Sequence, residues 1–292
     1  MKFNINLEYT PISPVADLPF TESSLSRRIS PYVLDTDEIG IALVDIWNIG
    51  WENGPCIPEL GYELSTERGI SHANRKRQII EEIICPTVNE LRKSGVQIFH
   101  CNHAFFLEKY PQWNYSTTQE ERDSLNKPKN EQTNSSEKPN TEDDIFPPRD
   151  WVHFWQGKHS NEINNWEWLK QNDKVYEFID IPDPAKPQEG DLLVFHHVQF
   201  HRLLTERKIK VLFYMGFETD ICVQFSDCGM KFMSSYGYMC NILRDCTTTF
   251  EVAETLNGLW KTRVHIANIE NKWGYSTTSQ ALIESIRKSE RD

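Results

Sequence analysis

Cys222 is the side chain of this sequence best placed for nucleophilic chemistry. It follows the apolar run 211–215, whose length and β-rich composition predict a buried strand of a parallel sheet. Thr219 lies shortly before it and is the expected N-cap of a helix over residues 220–235. A thiol in the first turn of a helix feels the positive end of the helix dipole, which favours the nucleophilic thiolate. The unpaired backbone N–H groups of that turn are suited to holding an oxyanion.

Two further strand ends supply polar side chains for the same chemistry. Asp45 follows the apolar run 39–44, and His196 and His197 follow the run 191–195. Because the carboxyl ends of parallel strands collect ligands at one edge of an open α/β sheet, these side chains are expected beside the cysteine. A thiol with a neighbouring base is the arrangement that acyl transfer needs. The alternatives are structural, namely a small buried cysteine at a strand–helix junction and a carboxylate that caps a turn.

Aromatic and polar residues near these strand ends predict a pocket for a small-molecule substrate. Large aromatic side chains that follow a strand end more often line a pocket or an interface than fill a core. The residues expected to line this pocket are Trp47, Asn48, Trp51, His103, Phe105 and His197.

A metal site is the competing interpretation of residues 100–103, His-Cys-Asn-His, at the end of another predicted strand. A protein zinc site needs three or four ligands, and only this small cluster is local in the sequence. The seven cysteines are an odd number without a CxxC pair, which indicates neither a disulfide scaffold nor a zinc ribbon. We therefore expect neither a metal nor a cofactor.

The order of strands and helices predicts an α/β fold, a doubly wound, mostly parallel six-stranded sheet with helices on both faces. The expected strands are residues 39–44, 96–99, 191–195, 210–215, 238–243 and 264–267. The expected helices are residues 71–94, bent near Pro86, then 220–235, 251–260 and 279–288. A short strand or turn is expected over residues 177–183.

Residues 39–292 are expected to form one domain, preceded by an extended N-terminal arm over residues 1–38 that contains four prolines. An insertion is expected at about residues 104–186. Its polar part, 114–144, has almost no aliphatic residues and is predicted not to order itself. The aromatic cluster that follows, from Trp151 to Trp168, is expected to be a lid over the pocket or a subunit interface.

The overall charge excludes some function classes. With 292 residues, a net charge of −12 and a pI near 5.3, the chain is a poor match for the phosphate backbone of a nucleic acid. No stretch is long and apolar enough to predict a membrane span, and the first residues lack the pattern of a secretory signal. The expectation is a cytoplasmic protein that binds neither nucleic acid nor membrane.

Four segments resemble motifs of the isochorismatase-like cysteine hydrolases, a superfamily that includes nicotinamidases, N-carbamoylsarcosine amidohydrolases and ureidoacrylate hydrolases. The cysteine motif is the specific one, and the other three occur in the matching order. Together they cover the chain from about residue 39 to its end, apart from the insertion. The segments are residues 45–48 (like D-x-Q-N), 187–194 (like P..GD.vv), 216–223 (like G-x-x-T-D-x-C-V) and 237–245 (like Gy...v.D).

The resemblance implies roles for individual residues. Asp45 would be the general base, and Cys222 would attack a carbonyl to form an acyl-enzyme that water hydrolyses. A non-proline cis peptide is implied at Phe217-Glu218, with backbone N–H groups from these residues and Ile221 around the oxyanion.

The family's catalytic lysine is replaced here, because His196 or His197 stands where the lysine is expected. Metal-binding nicotinamidases place an aspartate where this chain has Cys101, and their further histidine is missing. Neither zinc nor nicotinamide is therefore implied.

The resulting interpretation is a hydrolase for a small amide, carbamoyl or ureido C–N bond, with catalytic residues Asp45, His196 and Cys222. The family habit of pairing subunits suggests a homo-oligomer. The alternative is a catalytically silent protein of the same fold that acts as a binding or assembly module. Vinyl-ether hydrolysis of isochorismate is disfavoured because a cysteine occupies the position of the nucleophile.

Overall fold

An eight-stranded, mostly parallel sheet forms the centre of the computed structural model, which describes residues 1–16, 18–51, 54, 67–125, 151–157 and 178–291. The strand order is β2-β1-β8-β7-β6-β3-β4-β5. The pairs β1–β2 and β1–β8 are antiparallel, and all other neighbouring strands are parallel. The strands are β1 Lys2–Tyr9, β2 Arg28–Asp35, β3 Ile39–Val44, β4 Gln97–Cys101, β5 Leu192–Val194, β6 Val211–Gly216, β7 Met239–Thr247 and β8 Gly274–Thr277.

Helices cover both faces of this sheet, as the sequence predicts. They are α1 Glu67–Ile79, α2 Cys85–Lys93, α3 Ala104–Leu107, α4 Trp113–Ser116, α5 Gln119–Leu125, α6 Trp151–Gln156, α7 His197–Glu206, α8 Cys222–Phe225, α9 Met230–Ser235, α10 Ala253–Leu256, α11 Trp260–Lys272 and α12 Ser279–Ser289. A π-helical turn, Ile80–Ile84, joins α1 to α2 just before Pro86, which confirms the expected irregularity there. Among the described residues no helix is long and apolar enough to cross a membrane.

The alternation of side chains along the central strands explains the two helical layers. In β6, Phe213 and Met215 join one buried cluster with residues of α2 and α12. Leu212 and Tyr214 point the other way and join a second cluster with residues of α7, α9 and α11. A strand that is buried on both faces needs apolar residues at every position, which is what the run 211–215 supplies.

The N-terminal region corrects the expectation of an arm outside a six-stranded sheet. Residues 1–38 contribute β1 and β2, so the sheet has eight strands, six of them in the parallel part. Phe3, Ile5 and Leu7 are buried while the residues between them are exposed. This strict alternation is the signature of a half-buried strand, and it was present in the sequence.

The last parallel strand also differs from the prediction. Residues 264–267 lie inside the helix α11, and the sixth parallel strand is Gly274–Thr277. A short apolar run does not distinguish a strand from a helix. The buried positions Thr262, Ile266 and Ile269 are spaced as one face of a helix. The helix expected over 251–260 is only the single turn α10, and residues 183–185 form a 3₁₀ turn where a strand or turn was expected.

The first part of the polar insertion is ordered, which corrects the prediction for residues 114–125. The short helices α4 and α5 lie there, and the hydroxyl of Ser116 accepts a hydrogen bond from the backbone N–H of Leu193 at 2.9 Å. Arg202 of α7 pairs with Glu121 at 2.8 Å. Both contacts are to residues far along the chain, so tertiary partners order a segment whose composition alone does not. Residues 126–150 of the insertion lie outside the described ranges.

Gly216 sets how closely β6 approaches β3 at the edge where the candidate site lies. Its φ is +123°, and a Cβ at this position would lie 2.0 Å from the carbonyl oxygen of Val44. The next backbone N–H, of Phe217, donates to that same oxygen at 3.0 Å. Only glycine permits this approach, which brings the chain after β6 beside the residue that follows β3.

Gly216→Ala should therefore destabilise the protein by about 3 kcal/mol or more, since backbone strain alone costs roughly 1–3 kcal/mol and a clash adds to it. The matched control is Gly237→Ala, where φ is +92° but no atom lies within 4 Å of the added Cβ. That control should lose only about 1–2 kcal/mol. Urea unfolding of both variants measures the difference, and equal losses would show that the contact with Val44 does not restrict the position.

Candidate active site

Four neighbouring parallel strands, β6, β3, β4 and β5, end at the same edge of the sheet. Asp45 follows β3, His103 lies two residues beyond β4, and His196 lies two residues beyond β5. Cys222 begins the short helix α8 after β6. The strand order thus brings the polar strand ends to one region, as expected for ligand sites of open α/β sheets.

Asp45 turns the chain sharply out of β3. Its φ is +47°, a conformation that aspartate adopts more readily than most residues, and its side chain is buried. Its backbone N–H donates to the carbonyl of Cys101 at 3.1 Å. Burial raises the pKa of the Asp45 carboxyl, while the Cys222 thiol and the charges of His103 and Lys76 act in the opposite direction. The result is a carboxylate with increased basicity.

The thiol of Cys222 lies beside the carboxylate of Asp45, close enough for each group to shift the pKa of the other. Burial raises the pKa of this thiol, and the negative charge of Asp45 raises it further. The expected lowering by a helix dipole is therefore wrong. The helix α8 has only four residues, so its dipole is small, and a carboxylate stands directly beside the sulfur. Both effects favour the neutral thiol of Cys222 over the thiolate.

Thr219 does not cap the helix, which corrects a second local prediction. Its hydroxyl is buried and hydrogen-bonded to that of Thr247 at 2.7 Å, and Thr247 in turn donates to the carbonyl of Gly216 at 2.7 Å. Ile221 occupies the N-cap position instead. The predicted helix over 220–235 is divided into α8 and α9. Thr219 therefore ties the loop after β6 to the end of β7.

The peptide bond between Phe217 and Glu218 is cis, at the position that the motif implied. The N–H of Phe217 is used by Val44, and the N–H of Ile221 donates to the carbonyl of Glu218 at 3.1 Å. The backbone N–H of Glu218 lies near the sulfur of Cys222 and opposes the rise of the pKa of that thiol. The N–H of Cys222 itself donates to no residue in the described part of the chain. It is one of the unpaired N–H groups of the first helical turn that the sequence suggested for holding an oxyanion.

A buried ion pair beside the site was also missed by sequence reasoning. Lys76 of α1 is only 3% exposed, and its Nζ donates to Oε1 of Glu218 at 2.8 Å. Nε2 of His72, also buried, lies 3.0 Å from the same oxygen. Burial alone would raise the pKa of Glu218, but Lys76 and His72 outweigh it and lower that pKa to about 2. Glu218 is thus a buried, ionised carboxylate.

One feature of the sequence could have revealed this pair. His72, Lys76 and Ile80 are spaced four residues apart, so they share one face of the helix α1 and its continuation. That face is the apolar one, because Ile80 is fully buried. A lysine on a buried helical stripe requires a buried acidic partner.

His196 is the N-cap of α7, and its Nδ1 accepts from the backbone N–H of Val198 at 3.3 Å. Across the described ranges no hydrogen bond joins it to Asp45 or Cys222. It lines a cavity of about 830 Å³ together with His103, Phe105, Phe195 and Asp227. Its proposed part in catalysis remains a prediction. His197 points elsewhere, since its Nδ1 lies 2.9 Å from the hydroxyl of Tyr236 and its ring stacks on Phe232.

Of the other residues expected in the pocket, two line the cavity, and three are described by contacts with neighbouring side chains and loops. His103 and Phe105 line the cavity, and their rings stack with centroids 5.6 Å apart. Trp47 donates from Nε1 to Asn102 at 3.1 Å. Asn48 is buried and accepts from the backbone N–H of Asp180 at 2.9 Å, so it ties two loops together. The guanidinium carbon of Arg77 lies 5.9 Å from the centroid of the Trp51 ring.

The aromatic cluster of the insertion is only partly described. Trp151, Phe154 and Trp155 lie on α6, and all three are exposed. Trp166 and Trp168 fall outside the described residues, so the role of a lid or an interface stays a prediction. Within the described ranges no three His, Cys, Asp or Glu side chains are grouped as metal ligands.

The chain was compared with known proteins. No protein-family model matches it, and no curated protein matches it. A cysteine hydrolase from Pseudomonas syringae pv. phaseolicola is 12% identical with a TM-score of 0.49, over 88% of this chain and 95% of that protein. An isochorismatase from Pseudomonas putida is 14% identical with a TM-score of 0.44, over 85% and 91% of the two chains. A nicotinamidase from Staphylococcus aureus is 14% identical with a TM-score of 0.39, over 82% and 98%.

Lys76→Met should destabilise the protein by about 3 kcal/mol, because it leaves the buried charge of Glu218 with His72 as its only described partner. Methionine keeps the apolar stem, so the change reports mainly the loss of charge. The control is Lys93→Met, whose side chain is 73% exposed and pairs with Glu90 on the surface. It should change the free energy of unfolding by less than about 0.5 kcal/mol. Urea unfolding with similar midpoints for both variants would contradict the buried pair.

Proposed function

We propose that this protein is a hydrolase that cleaves a small amide, carbamoyl or ureido C–N bond, with Cys222 as nucleophile and Asp45 as general base. The single observation that carries the proposal is the proximity of the Cys222 thiol to the Asp45 carboxylate at the carboxyl edge of the sheet, where β3 and β6 end side by side. The resemblance of the surrounding segments to the cysteine-hydrolase motifs supports it. A neutral thiol with an adjacent base is one of the standard ways to activate a nucleophile.

The first half-reaction forms a thioester. Asp45 takes the proton of Cys222 while the sulfur attacks the substrate carbonyl, so a C–S bond forms and the carbonyl electrons move to oxygen. The backbone N–H of Cys222, which donates to no group in the described part of the chain, is the donor proposed for that oxyanion. When the tetrahedral intermediate collapses, the C–N bond breaks and Asp45 returns the proton to the leaving nitrogen.

The second half-reaction releases the acid. Asp45, again a carboxylate, accepts a proton from water as the water oxygen attacks the thioester carbonyl. The C–S bond then breaks, and the proton returns to the sulfur. The raised pKa of Asp45 suits both directions, because a base that must also act as an acid works best with a pKa near the working pH.

A cavity of about 830 Å³ lies beyond the ends of β4 and β5, and its described lining does not include Asp45 or Cys222. It combines aromatic side chains such as Phe105 with imidazole and charged ones such as His196 and Arg202. In this proposal a small substrate reaches from this cavity to the pair, and its polar groups match the polar lining. In this proposal His196 contributes an imidazole at the position where the resembled family has lysine.

Ammonia release from a panel of small amides and ureas tests the proposal. Cys222→Ala and Asp45→Asn should each lower kcat by roughly 10³-fold or more, because they remove members of one catalytic unit. Cys246→Ala is the matched control, since its thiol is also buried and also contacts an aspartate, Asp245, at 3.7 Å.

The Cys246 variant should keep its activity. A wild-type protein that hydrolyses no member of the panel, or a Cys222→Ala variant as active as the wild type, would contradict the assignment.

A further inference from the structure

A second cavity, of about 390 Å³, lies between the helix α1 and the segment that follows β7. Its described lining shares no residue with the larger cavity beyond β4 and β5. That lining includes neither Asp45 nor Cys222, so the proposed mechanism gives this cavity no role. The chemistry of its walls indicates which kind of ligand it could hold.

Much of the wall is apolar. Val252 and Leu256 line the cavity and are 44% and 50% exposed. Phe250 lines it as well, and its ring lies against the ring of His72 with the centroids 3.8 Å apart. Removing apolar surface of this kind from water is favourable, so the cavity suits a ligand with an apolar body.

Arg75 supplies a cation to the same wall. Its Nε donates to the hydroxyl of Thr248 at 3.0 Å, and its Nη2 donates to the carbonyl of Thr249 at 3.0 Å. The same Nη2 donates to Nδ1 of His72 at 3.1 Å. A guanidinium has five N–H donors, and two of them are on Nη1. In the described part of the chain no residue accepts a hydrogen bond from Nη1, so the guanidinium is held in place with one end unused.

Glu251 is the acidic residue of this wall, and its carboxylate is engaged elsewhere. Its Oε1 accepts from the backbone N–H and the hydroxyl of Thr262, at 2.9 and 2.7 Å. Its Oε2 accepts from the backbone N–H of Lys261 at 3.0 Å. A ligand in the cavity therefore meets unused donors at Arg75, and a carboxylate is the acceptor that matches a guanidinium best.

We propose that this cavity binds a small apolar carboxylate. The carboxylate accepts hydrogen bonds from Nη1 of Arg75, and the apolar body packs against Phe250, Val252 and Leu256. The site does not depend on the proposed hydrolysis, because no residue of its described lining is a reacting group.

His72 connects this cavity to the candidate active site. Arg75 only donates hydrogen bonds, so Nδ1 of His72 must be the acceptor between them. Nε2 then carries the proton, and it donates to Oε1 of Glu218 at 3.0 Å. A ligand on Arg75 should therefore shift the NMR signals of the His72 ring, which lies between the cavity and the buried ion pair.

Calorimetry on the wild-type protein tests the site with 3-phenylpropanoate and 3-phenylpropan-1-ol, which share one apolar skeleton and differ in the carboxylate. The carboxylate should bind roughly 10- to 100-fold more tightly than the alcohol, as expected for a hydrogen bond to a charged group. Arg75→Gln should remove this preference. Arg77→Gln is the matched control, since Arg77 lies on the same helix but pairs with Glu81 at the surface, and it should keep the preference.

A second pair of variants locates the ligand and keeps the test decisive if Arg75→Gln does not fold. Leu256→Glu places a carboxylate in the wall of this cavity, and Leu125→Glu places one in the wall of the larger cavity. Both leucines are exposed, so both variants should fold. Binding of 3-phenylpropanoate should weaken about tenfold or more in Leu256→Glu and stay unchanged in Leu125→Glu, because like charges repel only at the occupied site.

Three results would overturn this inference. They are equal binding of the carboxylate and the alcohol to the wild type, a preference that survives in folded Arg75→Gln protein, and weaker binding in Leu125→Glu but not in Leu256→Glu. None of them bears on the hydrolase, whose failure would appear separately as a Cys222→Ala variant with full activity.

Discussion

The proximity of the Cys222 thiol to the Asp45 carboxylate is the feature on which the arrangement of the site depends. The two residues are far apart in sequence, and they meet because β3 and β6 are parallel neighbours whose carboxyl ends coincide. Asp45 leaves β3 with a positive φ, and Gly216 allows the chain after β6 to approach Val44 closely. The sheet thus places the Asp45 carboxylate beside the Cys222 thiol. The helices on both faces stabilise the sheet.

The second constraint is the balance of buried charge around that pair. Two carboxylates, Asp45 and Glu218, lie close enough to influence each other, and burial disfavours the ionised form of both. Lys76 and His72 compensate by binding Glu218 directly, while Lys76 also stabilises the negative charge of Asp45. The pKa of Asp45 stays raised, whereas that of Glu218 falls to about 2. Two neighbouring carboxylates thus have pKa values shifted in opposite directions, which is the pattern that the proposed role of Asp45 as a base requires.

Sequence reasoning reached what depends on local pattern and strand order. The parallel strands, the convergence of Asp45 with Cys222 and the cis peptide at Phe217-Glu218 are all present in the structure. It failed where tertiary partners decide. The pairing of Lys76 with Glu218 joins residues 142 positions apart. The helical spacing of Lys76 indicates that it needs a buried acidic partner but does not specify which one. The predicted lowering of the Cys222 pKa was wrong. The prediction considered the helix dipole without the carboxylate that the fold places beside the thiol.

The most direct test of the account is the pH dependence of iodoacetamide labelling at Cys222, resolved by mass spectrometry, in the wild type and in Asp45→Asn. Burial and the Asp45 charge raise the pKa of the thiol, so the wild-type midpoint should lie above the value of about 8.5 for a free thiol. Asp45→Asn removes that negative charge, and the midpoint should move to lower pH. A wild-type midpoint below about 8.5 that Asp45→Asn does not change would contradict the account, because it would show a thiolate that does not depend on Asp45.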